Sequence, residues 1–329
     1  MTSSYEPAVF RFSGAGNDFV VLDGRKGGMD AFREPERIGE LCREYHTDGL
    51  MILTQPAPSC HAGRREASPC DFVMEFYNPD GSGGMMCGNG GRCIVAFADY
   101  LGIRPADGKT YRFLAPDGPH TAEILAFPKD TASGGTPFAS LSPAPPTADA
   151  AGPSPYPCAG VHMSSGGSVL RKWIVRLKMI DVQGITPMKD GYFLNTGTRH
   201  YVKFVEEVDG IDMEADAKPL RWDPAFQPEG TNVNFVETRP DGLHVRTFEK
   251  GVEGETLACG TGLTASAIAA FHAGISGAKQ PEGPQAVYRL QCRRGDWLQV
   301  DFQPGPGDSF TEVFLTGPAE LERIIFVHL

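Results

Sequence analysis

The sequence predicts an α+β protein built from two similar halves, and three observations carry that reading. Short apolar stretches ended by Gly, Asn, Asp or Pro recur along the whole chain, which is the pattern of strands and turns. Forty glycines and 27 prolines are spread through the 329 residues, not gathered in one tail, so turns are frequent. Finally, "MMCGNGGRC" at 85–93 and "LACGTGLTASAIAAF" at 257–271 each place a cysteine before a glycine turn that opens into an apolar helix. The two cysteines, Cys87 and Cys259, lie about half the chain apart. A chain of this length is expected to form two domains.

In the first half the strand segments are "VFRFSG", "FVVLDG", "GLMILT", "DFVMEFYN", "YRFLAPDG" and "TAEILAF". Two helices interrupt them: "EPERIGELCREYH", with Pro35 near its start, and "GGRCIVAFADYLG", with Gly102 as its stop. The second half repeats the plan, with strands at "WIVRLKMIDV", "YFLNTG", "HYVKFVE", "NVNFVET" and "LHVRTFE", the helix "GLTASAIAAFHAG", then strands at "AVYRLQC", "WLQVDFQ" and "EVFLTG". Residues 127–168 are rich in Pro, Ala, Ser and Gly and read as a long connection without a core of its own. A shorter excursion, 55–70, lengthens a hairpin. The expected division is a first domain over 1–126 carrying Cys87, the connection, and a second domain over 169–315 carrying Cys259.

Charge and cysteine usage narrow the function. The formal net charge of -11, from 30 Lys+Arg and 41 Asp+Glu, disfavours nucleic acid or an anionic membrane as partner. A small-molecule substrate fits better, and a homodimer is left open. There is no run of about 18 apolar residues and no charged-then-apolar N-terminal signal, so the cytoplasm is the expected location. The eight cysteines are irregularly spaced without a C-x-x-C pair. This argues against a disulfide framework or a zinc cluster, and no metal or other cofactor is expected.

Two cysteines at helix starts suggest a reaction. A helix N-terminus offers unpaired N–H groups and a partial positive charge, which favour both a thiolate and a bound carboxylate, and thiol pKa values at such positions are commonly lowered. If the turns face each other across a cleft, one substrate carboxylate can be held by both. One thiolate can then remove the α-proton while the opposing thiol protonates the other face, inverting the carbon. A single C-G-x-G turn is weak evidence; its duplication carries the argument.

The residues resemble the diaminopimelate epimerase family, the cofactor-independent enzymes that interconvert LL- and meso-diaminopimelate on the route to lysine and peptidoglycan. The resemblance runs through "FSGAGNDFVVLD", "FYNPDGSGGMMCGNGGRC", "EGTNVNFVE" and "RTFEKGVEGETLACGTGLTASA". It implies two pseudo-symmetric domains, each a barrel-like, mostly antiparallel sheet around a central helix. The active site would lie in the cleft between them, and a final strand over 316–329 would return to the first domain. It also implies that Cys87 and Cys259 are the acid-base pair. Gly88, Asn89, Gly260 and Thr261 would hold the reacting carboxylate, Asn17, Asn78, Asn232 and Glu249 would contact substrate with Lys250 beside them, and His200 would stand near the cysteines.

Three positions depart from the family pattern. Lys250 stands where arginine is usual, losing a planar fork; "GTRH" replaces Gly-Asn-Pro-His, so that Thr198 substitutes for a substrate-binding amide and Arg199 for a proline; and "EYHTDGLMIL" replaces a glycine-rich turn. Only one of Asn232 and Asn234 is expected to face the cleft. Rival readings are a racemase of proline, hydroxyproline or histidine using the same cysteines, a cysteine hydrolase pairing one cysteine with His200, and a non-catalytic anion-binding protein.

Overall fold

The computed structural model describes residues 8–56, 70–84, 86–127, 170–276 and 284–326. Most of the two expected excursions, with Cys60 and Cys158, lies outside them. The first set of elements is β1 (Ala8–Ser13), β2 (Asp18–Asp23), α1 (Pro35–Tyr45), β3 (Gly49–Thr54), β4 (Phe72–Tyr77), α2 (Gly88–Tyr100), β5 (Thr110–Ala115), β6 (Gly118–Ala126) and β7 (Arg171–Lys178). The second set opens with β8 (Val182–Gln183), β9 (Thr186–Met188), β10 (Gly191–Asn195), β11 (Arg199–Phe204), α3 (Lys218–Arg221), β12 (Asn232–Arg239) and β13 (Gly242–Glu249). It continues with β14 (Gly254–Thr256), α4 (Gly260–His272), β15 (Ala286–Gln291), β16 (Trp297–Pro304) and the long β17 (Ser309–Phe326).

Strand pairing makes the duplication explicit. The first ring runs β1–β2–β3–β4–β5–β6–β7–β17 and closes back on β1, eight strands in all. The second runs β10–β11–β12–β13–β15–β16–β17–β8, and β9, just after β8, pairs with β10. Both rings show the same order of pairings: antiparallel, parallel, antiparallel, parallel, then antiparallel throughout. Parallel neighbours need a crossover, and α1, α2, α3 and α4 occupy the four crossovers. β17 serves both rings, pairing with β16 through Phe310–Thr316, with β7 through Gly317–Leu321 and with β1 through Glu320–Phe326. The halves therefore share a strand.

Burial explains the sequence patterns. β2 and β3 turn Val21, Met51 and Leu53 inward onto α2, while Val20, Leu22, Leu50 and Ile52 face outward under α1. Strands covered on both faces read as continuous apolar runs, as "FVVL" and "LMIL" do. β11 and β12 repeat this, with Tyr201, Val233 and Phe235 covered from outside by Val208, Met213 and Phe226. The central helices differ from α1, whose exposed face is polar: Gly88 through Ala98 of α2 and Gly262 through Ala270 of α4 are buried throughout. A helix buried on every side needs a core all round it, and each ring supplies one. The axes thus bring the two cysteine turns to the place where the rings meet.

Candidate active site

Each cysteine turn places its sulfur at a helix end for a local reason. Cys87 precedes α2 with extended backbone (φ -99°, ψ 153°), and its Sγ accepts the Gly90 N–H at 3.2 Å, the capping role usually taken by Ser or Asp. Cys259 stands in the same place before α4 (φ -122°, ψ 108°), with Sγ 3.4 Å from Thr261 Oγ1. Both thiols are free.

The two helix starts meet. A Cβ on Gly88 would lie 3.6 Å from the Gly260 Cα, and one on Gly260 would lie 3.4 Å from the Gly88 Cα; either would press on Leu315 Cδ2, at 3.0 and 2.9 Å respectively. Glycine is what allows this approach. Gly260→Ala is therefore expected to displace mainly the buried Leu315 methyl and to lower turnover by up to about 100-fold only if Cys259 moves with it, since ångström shifts of catalytic groups carry costs of that order. Steady-state kinetics on a variant with unchanged circular dichroism checks this, and wild-type turnover would show that the contact has slack.

Around the meeting point lies a cleft of about 1000 Å³ lined from both rings. Asn17, Cys87, Gly88, Asn89, Thr198, Asn232, Glu249, Lys250, Cys259, Gly260 and Thr261, all anticipated from sequence, line it. Asn78 does not. Its side chain donates to Ser82 Oγ at 3.0 Å within the turn after β4, the backbone-shaping role common for Asn in such turns. His200 lies beneath the wall, fully buried.

Asn89 spans the two halves. Its Nδ2 donates to Asn17 Oδ1 at 2.6 Å and toward the Ala258 carbonyl at 3.4 Å. Its Oδ1 accepts from Arg92 Nη2 at 2.9 Å. Arg92, which sequence reading did not single out, is fully buried, and it also donates to the carbonyls of Gly88 (3.0 Å), Gly14 (3.0 Å) and Pro318 (3.2 Å). One guanidinium thus pins the Cys87 turn to the β1–β2 turn and to β17. The only available signal was a charged residue inside an otherwise apolar helix.

On the second ring a neutral relay supports Cys259. Asn234 Nδ2 donates to His200 Nδ1 at 3.0 Å, which leaves the His200 Nε2–H to serve Thr198 Oγ1 (2.9 Å) and Thr261 Oγ1 (3.0 Å). Burial lowers the His200 pKa to about 3, so the ring is neutral and positions hydroxyls. Asn232 and Asn234 share one face of β12, as a two-residue repeat requires; they differ in depth, Asn232 lining the cleft and Asn234 lying under His200.

The expectation of lowered thiol pKa values runs against the burial of both sulfurs. Burial pushes both thiols up, and it outweighs the Gly90 N–H and Arg92 at Cys87. Cys259 is raised further because Glu249 lies beside it. Glu249 is itself raised by burial, although Thr256 Oγ1 donates to it at 2.5 Å. Desolvation disfavours every charged form, and here it outweighs the backbone N–H groups at both helix starts. Cys87 is the thiol with a cation nearby.

The profile of the family described as diaminopimelate epimerase matches residues 192–281. Relatives of that name from Chlorobaculum tepidum and Aquifex aeolicus are both 33% identical to this chain, over 93% and 94% of it and 96% and 93% of their own lengths. The chain belongs to the diaminopimelate epimerase family. Like those diaminopimelate epimerases it is an isomerase. In this chain the profile match runs from β10 past α4 and includes Asn232, Glu249 and Cys259. Solved structures share the fold at much lower identity. A PhzF-family phenazine biosynthesis protein of Bacillus anthracis superposes with a TM-score of 0.62 at 9% identity, covering 99% of this chain and 100% of its own. A probable proline racemase of Agrobacterium radiobacter gives 0.54 at 14%, covering 98% and 93%.

Proposed function

We propose that the protein interconverts LL- and meso-diaminopimelate by two-base proton transfer, and the observation that carries this is the pair of cysteine-capped helix starts meeting in one cleft. In this reading the N–H groups of Gly88, Asn89, Gly260 and Thr261 hold the reacting carboxylate, and Glu249 faces the α-ammonium. Cys87 and Cys259 then stand on opposite faces of the α-carbon. When one, as thiolate, takes the α-proton, the pair of electrons left on carbon delocalises into the carboxylate. The two helix ends stabilise the charge as it develops there, a larger effect than proton transfer alone supplies. The other thiol then delivers its proton to the opposite face. The next substrate of the reverse configuration finds the protons already exchanged.

The hydrolase reading has little support, because His200 bonds to the Thr198 and Thr261 hydroxyls and is a very weak base. Incubation of purified protein with LL-diaminopimelate, proline, hydroxyproline and histidine, followed by resolution of stereoisomers, tests the substrate. Inversion of diaminopimelate alone is expected, and inversion of proline in its place would overturn the reading.

A pH dependence follows. The productive pair is one thiolate and one thiol, and burial places both thiol pKa values above the ordinary range. The fraction of enzyme with one thiolate therefore grows as pH rises. We expect kcat/KM to climb from about pH 6 into the alkaline range, because this parameter reports groups of the free enzyme. A profile flat from about pH 6 to 9 would mean that the thiolate is already formed at neutrality.

A further inference from the structure

We propose that Arg199 and Glu229 form the subsite that reads the far end of the substrate, Arg199 taking the distal carboxylate and Glu229 the distal ammonium. The inference rests on the diaminopimelate reading above and adds residues to it. The unreacted end of diaminopimelate is itself an amino-acid zwitterion, so a site that recognises it needs a cation and an anion side by side. The cleft wall offers such a pair beside Asn232 and Lys250. Arg199 and Glu229 both line it, with Arg199 Nη1 2.6 Å from Glu229 Oε2.

The pair is held in place but not locked. The Arg199 guanidinium lies 5.3 Å from the centre of the Phe193 ring, a cation–π contact that helps hold it. The two side chains are 36% and 59% exposed, and exposed pairs of this kind contribute little to stability, so they can exchange partners with an incoming zwitterion. Asn232 sets the distance to the rest of the site. Its Nδ2 donates to the Arg199 carbonyl at 3.0 Å and its Oδ1 accepts the Lys250 N–H at 2.8 Å. One amide thus ties the start of β11, where Arg199 stands, to the loop carrying Lys250. Lys250 lines the same end and makes no ion pair among the described residues. Two cations and one anion leave a net positive charge there, suited to a carboxylate. This accounts for two departures at once, since the fork lost at position 250 is supplied from position 199.

The test compares three probes in deuterium exchange and epimerisation by the full chain: LL-diaminopimelate, 2-aminopimelate, which lacks the distal ammonium, and lysine, which lacks the distal carboxylate. Glu229→Gln is expected to lower kcat/KM for diaminopimelate roughly tenfold or more, mainly through KM, and to leave 2-aminopimelate nearly unchanged. Arg199→Ala should lower kcat/KM for diaminopimelate and 2-aminopimelate by roughly 10- to 100-fold and spare lysine, with Arg199→Lys between. Equal losses on all three probes, or no loss on any, would overturn the assignment. Wild-type protein that inverts diaminopimelate beside unaffected variants sinks this inference alone. Wild-type protein inert toward diaminopimelate sinks the substrate reading first.

Discussion

Cys87→Ser and Cys259→Ser are each expected to lower epimerisation by at least roughly 1000-fold while leaving the fold intact. A serine hydroxyl is far too weak an acid to supply the thiolate, and acid-base groups contribute roughly 10²- to 10⁴-fold each. The sulfurs sit at helix starts where the hydroxyl is a good cap, so unfolding midpoints should change little. Stereoisomer resolution of the product measures the loss. The two variants need not behave alike in half-reactions. Either one retains a single cysteine on one face and should still exchange the α-proton of the isomer presented to that face. A serine variant that inverts diaminopimelate at the wild-type rate would remove that cysteine from the mechanism.

Arg92→Leu should be the most destabilising single change near the site. It removes one buried guanidinium and leaves the carbonyls of Gly88, Gly14 and Pro318, together with Asn89 Oδ1, without their donor. Buried acceptors left unpaired cost about 1–3 kcal/mol each. Partial relaxation makes a total of about 3–5 kcal/mol the reasonable expectation. Urea unfolding measures it. Activity should fall as well, because Asn89 would lose its anchor and the Cys87 thiolate its nearby cation. An unfolding midpoint equal to wild type would mean that water replaces the guanidinium without loss.

Much of this was readable in the sequence. The strands from "VFRFSG" to "EVFLTG" and the three long helices are where local pattern places them, and the repeated cysteine turn announced the duplication and the two helix starts that meet in the cleft. Ring closure and the return of the last strand were available only through the family resemblance, because local pattern does not say which strands pair across the chain. The length of β17 is an example: "EVFLTG" marks its middle, yet it runs from Ser309 to Phe326 and joins both rings. Arg92 escaped notice since one arginine on a helix gives no sign that the helix is enclosed on all sides. The thiol pKa expectation failed for the same reason. Helix ends are local and can be seen in a motif, whereas desolvation depends on the closing of two rings around Cys87 and Cys259. Asn78 shows the converse, a residue whose motif suggested substrate contact and whose turn uses the side chain internally.

The two-base arrangement is tested most directly by running the reaction in deuterium oxide and following both isomers from the first turnovers. With a separate acid and base on opposite faces, the face that loses a proton is not the face that receives solvent deuterium. Product should therefore carry label at its α-carbon from the outset while unreacted LL-diaminopimelate stays almost unlabelled. Early appearance of label in remaining substrate to the same extent as in product would indicate a single base serving both faces, and would contradict the facing-cysteine mechanism.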